Sequence, residues 1–71
     1  MRYILHHEQS GVGIIQLNRH KTNALTNSVL EEINECLLNL ENNNHIKSVI
    51  ITGTDKFFSY GFDIKEFLYL L

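Results

Sequence analysis

Gly61 stands where this sequence is best suited to chemistry, with Tyr60 and Phe62 beside it and Asp63, Ile64 and Glu66 just beyond. It follows the most apolar run in the chain, residues 46–52, across the turn-rich segment Gly53-Thr54-Asp55-Lys56-Phe57-Phe58-Ser59. Glycine adopts positive φ without steric cost and lets a ligand come close to the backbone. A strand, a glycine turn and a helix start together aim main-chain N–H groups at an anionic or polarised oxygen. The Phe62 N–H would lie near the positive end of the following helix dipole. This is the chemistry of an oxyanion hole, where the donor is backbone and side-chain identity matters little. The same residues also suit an ordinary loop-to-helix turn, and the segment by itself leaves both readings open.

The other chemically capable side chains point elsewhere. His6 and His7 are adjacent on a strand pattern, so they face opposite sides and cannot share one metal ion. His20 and His45 sit in separate loops, and no metal site is expected. Ser59 lacks the glycine flanks of a nucleophile elbow and has no evident histidine partner. Asp63 and Glu66 read as a helix cap and its partner, and Asp55 as a turn residue. Glu31, Glu32 and Glu35 read as the solvated face of a helix. General acid–base work needs a carboxyl held beside the substrate proton, and the sequence offers no candidate. The single cysteine, Cys36, falls within a helical pattern, which favours a buried, inert thiol and a reducing compartment.

The elements that must position the glycine turn are legible from periodicity. Residues 3–8 and 12–18 read as two strands joined by the turn Gln9-Ser10-Gly11, an antiparallel hairpin. Tyr3, Leu5 and His7 would share one face of the first strand. Ile4, His6 and Glu8 would share the other. A polar loop through Asn18, Arg19, His20, Lys21, Thr22 and Asn23 leads to a helix expected over residues 26–41. Val29, Leu30, Ile33, Cys36, Leu37 and Leu40 form its apolar stripe at three- and four-residue spacing. Ser28 with Glu31 makes a capping-box candidate, and Thr26 or Asn27 could cap earlier. Asn42-Asn43-Asn44 would stop the helix, because Asn tolerates a left-handed C-cap. Residues 46–52 read as a strand buried on both faces, parallel to its predecessor through a helical crossover. A last helix would start near Asp63, with Ile64, Phe67, Leu68 and Leu71 as its apolar stripe. The order is strand, strand, helix, strand, loop, helix.

At 71 residues the chain allows one small domain at most, and its 44% apolar content suits a core rather than disorder. The net charge of −2, with six scattered Lys and Arg, gives no electrostatic case for nucleic acid. No segment reaches the roughly 18 apolar residues that span a bilayer. His6, His7 and Glu8 interrupt the first strand pattern, so no signal peptide is read, and a cytoplasmic location is the default. The chain closes on the apolar run Phe67-Leu68-Tyr69-Leu70-Leu71, a stripe that needs a partner.

Motif order adds a resemblance. Gly13-Ile14-Ile15-Gln16-Leu17-Asn18-Arg19, then Lys21-Thr22-Asn23-Ala24-Leu25, the helix, Val49-Ile50-Ile51-Thr52-Gly53 and Phe58-Ser59-Tyr60-Gly61-Phe62-Asp63-Ile64 follow one another. Together they resemble the opening of the enoyl-CoA hydratase/isomerase (crotonase) family over nearly the whole chain. The implied fold class is α/β: residues 1–71 as a single partial domain, the N-terminal β-β-α-β-α portion of a crotonase-like spiral fold. The resemblance implies that the Phe62 N–H is one of two backbone donors to a thioester carbonyl oxygen. It implies that Tyr60, Gly61, Phe62, Asp63 and Ile64 line the acyl thioester. Ala24 and Leu25 would contact coenzyme A, with Lys21 near a phosphate. Coenzyme A enters as part of the substrate, so no separate cofactor is implied.

Three departures qualify the resemblance. His20 replaces the proline usual after the arginine of the first loop, which removes a rigid turn. Tyr60 and Phe62 are bulkier than the small residues common beside the glycine. The family's second donor and its acid–base carboxylates come from segments beyond residue 71. The resemblance therefore implies a piece of an acyl-CoA enzyme of fatty-acid metabolism, inactive alone, from a parent that assembles as a trimer-based oligomer. The alternative from another class is a non-catalytic remnant that persists by association.

Overall fold

The computed structural model describes residues 2–19, 22–54, 58, 59 and 61. Three strands and one helix follow in the order β1 (Ile4–Gln9), β2 (Val12–Leu17), α1 (Asn27–Glu41) and β3 (Ser48–Thr52). The sheet order is β1-β2-β3. β1 runs antiparallel to β2, with Ile4 opposite Leu17 and Gln9 opposite Val12. β3 runs parallel to β2, with Val12 opposite Ser48 and Gln16 opposite Thr52. Both expected pairings are present. The expected last helix lies outside the described residues.

A two-residue loop sets the hairpin register. Ser10 has φ 51° and Gly11 φ 80°, the positive values that a type I′ turn requires and that match the twist of the flanking strands. The Gly11 carbonyl accepts from the Lys47 N–H at 2.8 Å, which ties the entry to β3 onto the same turn.

α1 packs over β1 and β2. The register puts Ile4, His6 and Glu8 on one face with Leu17, Ile15 and Gly13, and the core forms there. Ile4, Ile15 and Leu17 from the sheet meet Val29 and Cys36 from the helix, with Tyr3, Leu25, Ile33, Leu37 and Leu40 packed around them. Fully burying such side chains contributes roughly 1.5–3 kcal/mol each before entropy is counted. Cys36 is buried as its place in the stripe required, whereas Leu30, counted in the same stripe, is exposed.

Of the three residues that could cap the helix, Thr26 does so: its hydroxyl oxygen accepts from the Val29 N–H at 3.2 Å, and Ser28 with Glu31 does not provide the cap. Two local expectations are corrected. At the other end Asn42 is right-handed, with φ −82° and ψ −1°. The helix stops at the expected asparagines without a left-handed cap, since among the described non-glycine residues only Ser10 and Asn23 have positive φ. Asn43 Oδ1 accepts from the His45 N–H at 2.9 Å, and its Nδ2 donates to Glu8 at 2.8 Å. Glu32 is half-buried rather than solvated: one oxygen accepts from the Arg2 and Tyr3 N–H groups at 2.7 and 2.8 Å. A carboxylate beside free strand-entry donors finds them before it finds water.

The expected double burial of β3 also fails. Val49, Ile50 and Ile51 are 37%, 52% and 41% exposed. The reason is coverage, not pattern. Among the described residues β3 pairs only with β2, and α1 lies over the other two strands.

Candidate functional site

Two loops meet at the C-terminal ends of β2 and β3. The first is described at Asn18, Arg19 and residues 22–25, and the second at Gly53, Thr54, Phe58, Ser59 and Gly61. Asn23 joins them. It is 2% exposed and sits at φ 49°, a left-handed conformation that asparagine adopts more readily than most residues. Its Oδ1 accepts from the Arg19 N–H at 2.8 Å, and its own N–H donates to the Arg19 carbonyl at 3.2 Å. This reciprocal pair closes the first loop, the one that lacks a proline. The Asn23 Nδ2 crosses to the second loop, donating to the Phe58 carbonyl at 3.0 Å and the Thr54 hydroxyl at 3.3 Å.

Gly61 stands at φ 100°, the positive value expected of this glycine. Among the described residues no atom comes within 4 Å of where a Cβ would project, so the glycine serves conformation rather than close packing. Its N–H donates to Ser59 Oγ at 2.9 Å. Ser59 Oγ donates in turn to the Asn23 carbonyl at 2.6 Å. The Gly61 carbonyl accepts from the Leu25 N–H at 2.8 Å. Ser59 is thus a structural bridge, in keeping with its lack of nucleophile context. Gln16 Nε2 adds a bond to the Gly53 carbonyl at 3.3 Å, holding the second loop to β2.

Of the sequence-derived site residues, the structure places Ala24, Leu25 and Gly61, and brings Leu25 and Gly61 into direct contact. Lys21, Tyr60, Phe62, Asp63 and Ile64 lie outside the described residues, as do His20, Asp55 and Glu66. Sequence reasoning placed Asn23 in a polar loop and in the motif that carries the family resemblance, and gave its side chain no role. Its signal was present: asparagine tolerates positive φ and carries both a donor and an acceptor amide. His6 and His7 pair with Ile15 and Ile14, which sets them on opposite faces of the sheet. Among the described residues no group of three His, Cys, Asp or Glu could hold a metal ion. Among them too, no helix is long and apolar enough to cross a membrane.

Among the described residues, a mixed sheet carrying one helix, with Gly61 bonded to Leu25 of the segment after β2, defines the class: an α/β segment. The chain belongs to the enoyl-CoA hydratase/isomerase family, whose model matches residues 7–70. It is 45% identical over 56 residues to an enoyl-CoA hydratase, mitochondrial, of Pongo abelii, covering 78% of this chain and 19% of that protein. It is 41% identical over 56 residues to a probable enoyl-CoA hydratase of Bacillus subtilis, covering 79% of this chain and 22% of that protein. The crystal structure of an enoyl-CoA hydratase/isomerase from Xanthobacter autotrophicus superposes with a TM-score of 0.84 at 39% identity, over 96% of this chain and 26% of that one. The chain therefore spans about a fifth of the length of these curated relatives.

Proposed function

We propose that this chain is the N-terminal portion of an acyl-CoA enzyme, a hydratase or isomerase of 2-enoyl thioesters. In this reading it supplies one oxyanion donor and part of the coenzyme A contact. The observation that carries the reading is the commitment of Gly61. Its N–H donates to Ser59 and its carbonyl accepts from the Leu25 N–H, which fixes the turn against the first loop. The next N–H along the chain, that of Phe62, is taken as the donor to the thioester oxygen, as membership of the family implies. Both hydration and double-bond migration pass through an enolate-like state in which negative charge grows on that oxygen. A donor fixed in advance stabilises this charge more than it stabilises the neutral carbonyl, and the difference lowers the barrier. Ala24 and Leu25, tied to the same turn, face the coenzyme A portion, with Lys21 as a point charge for phosphate. Tyr60, Asp63 and Ile64 line the acyl group.

The acid–base carboxylates belong to the parent beyond this segment, so the chain alone is inactive. The exposed apolar β3 is the surface that the remainder of the parent covers. Hydration of crotonyl-CoA, followed by loss of enoyl absorbance, tests the reading. The chain alone is expected to show no rate above buffer, and a fusion to the remainder of the Bacillus subtilis relative to hydrate the substrate. Activity of the chain alone would overturn the absence of a base. A folded fusion without activity would overturn the acyl-CoA assignment. The exposed β3 also favours a second reading, a non-catalytic piece that persists by association. A cooperative thermal transition in the isolated monomer counts against it.

A further inference from the structure

We infer that Asn23 is a positioning residue. It clamps the loop that contacts coenzyme A onto the glycine turn that presents the oxyanion donor, so that both contacts to one ligand stay in register. The inference rests on the acyl-CoA reading above. Every hydrogen-bonding group of the Asn23 side chain is engaged: Oδ1 with the Arg19 N–H, Nδ2 with the Phe58 carbonyl and the Thr54 hydroxyl. The main chain continues the clamp through a closed circuit. The Asn23 carbonyl accepts from Ser59 Oγ, that oxygen accepts from the Gly61 N–H, and the Gly61 carbonyl accepts from the Leu25 N–H.

Residue type matters at each point. Alanine would lose the carboxamide and strain the backbone at φ 49°. Aspartate would keep the acceptor and lose both donors. Glycine would keep the backbone conformation and lose the side chain alone. Binding energy gained on a remote part of a ligand accelerates chemistry only if the remote contact and the reacting centre are rigidly related. Asn23 supplies that relation here, without itself touching the reacting atoms.

Two measurements on the full chain test this. The first is amide hydrogen exchange in Asn23→Gly. The Leu25 and Gly61 amides are expected to exchange about tenfold faster, while Ile15 and Leu37 hold their wild-type rates. The second compares binding of butyryl-CoA with that of S-butyl-coenzyme A, a thioether without the carbonyl. The wild-type preference for the thioester is expected to fall to about one in Asn23→Gly, with thioether affinity kept within roughly twofold. If Asn23→Gly loosens the whole chain, Ser59→Ala decides. It cuts the link to Gly61 and leaves the carboxamide in place, so Gly61 protection and the thioester preference fall while Arg19 stays protected. Unchanged exchange at Leu25 and Gly61 overturns the clamp. Equal loss of affinity for both probes reduces Asn23 to a structural role and overturns positioning. A wild-type chain with no thioester preference overturns the ligand half of this inference, the acyl-CoA reading itself standing or falling with the fusion assay, and exchange still decides the clamp.

Discussion

Leu40 of α1 sits directly above Gly13 of β2. A Cβ on Gly13 would stand 2.8 Å from Leu40 Cδ1 and 3.0 Å from Cδ2. The helix approaches the sheet at the one β2 position without a side chain. Gly13→Ala should therefore destabilise the chain by about 1–3 kcal/mol, although alanine is the better residue for a strand. The contacting atoms are terminal methyls, which can move, so the low end is expected. Adding Leu40→Val should recover part of the loss, and a double-mutant cycle by urea denaturation should read a coupling of about 0.5 kcal/mol or more. Strict additivity would show that the two residues do not compete for the same space.

The start of α1 depends on one hydroxyl. Thr26 is 6% exposed and its Oγ1 accepts from the Val29 N–H. Thr26→Ala should cost about 1–2 kcal/mol, since the orphaned N–H is shielded from water, and Thr26→Ser should restore most of it. Ser28→Ala should change stability by less than about 0.5 kcal/mol. A larger effect at Ser28 than at Thr26 would contradict the observed cap.

Gly61 is predicted to resist substitution for a conformational reason. At φ 100°, with no atom of the described residues within 4 Å of where a Cβ would project, Gly61→Ala should cost roughly 1–2 kcal/mol. Gly61→Leu should cost about the same. A loss that climbs steeply with side-chain size would point to packing instead. Denaturation midpoints of the two variants make the comparison.

Cys36 gives a pH dependence. Burial pushes its thiol above the ordinary value, and the neighbouring Glu35 carboxylate adds to the rise. The folded chain therefore holds this proton more tightly than the unfolded chain. The resulting stability is full below the ordinary thiol pKa and is lost as pH rises from there through the raised folded value. Urea denaturation across that alkaline range should show a decline that Cys36→Val flattens. In the native state at neutral pH, Ellman's reagent should react with Cys36 far more slowly than with the urea-unfolded chain.

Local rules carried much of the fold. The strand patterns on either side of the turn-like Gln9-Ser10-Gly11 specified a hairpin, and the structure narrowed the loop to Ser10 and Gly11 by pairing Gln9 with Val12. The stripe from Val29 to Leu40 specified a helix and the burial of Cys36, because 3.6-residue periodicity needs no knowledge of the partner surface. Where several residues offered the same local chemistry, the sequence was silent on the winner. Thr26, Asn27 and Ser28 can all cap, and the choice fell to the residue whose hydroxyl reached a buried N–H. Glu32 looked like Glu31 until the chain entry at Arg2 and Tyr3 was brought beside it.

By itself, then, the sequence determined the order of the four described elements, the parallel and antiparallel pairings, the positive φ of Gly61 and the family. Each rests on short-range periodicity or on motifs that fold locally. Only the tertiary structure decided that β3 is exposed and that Asn23 ties the segment after β2 to the segment after β3. Val49, Ile50 and Ile51 carry the pattern of a buried strand, but burial depends on what lies over them, and α1 lies over β1 and β2. Asn23 bonds to Phe58, 35 residues away, and accepts from Ser59, 36 residues away. Contacts at that separation leave no periodic trace; they exist only once the sheet has set two loops side by side.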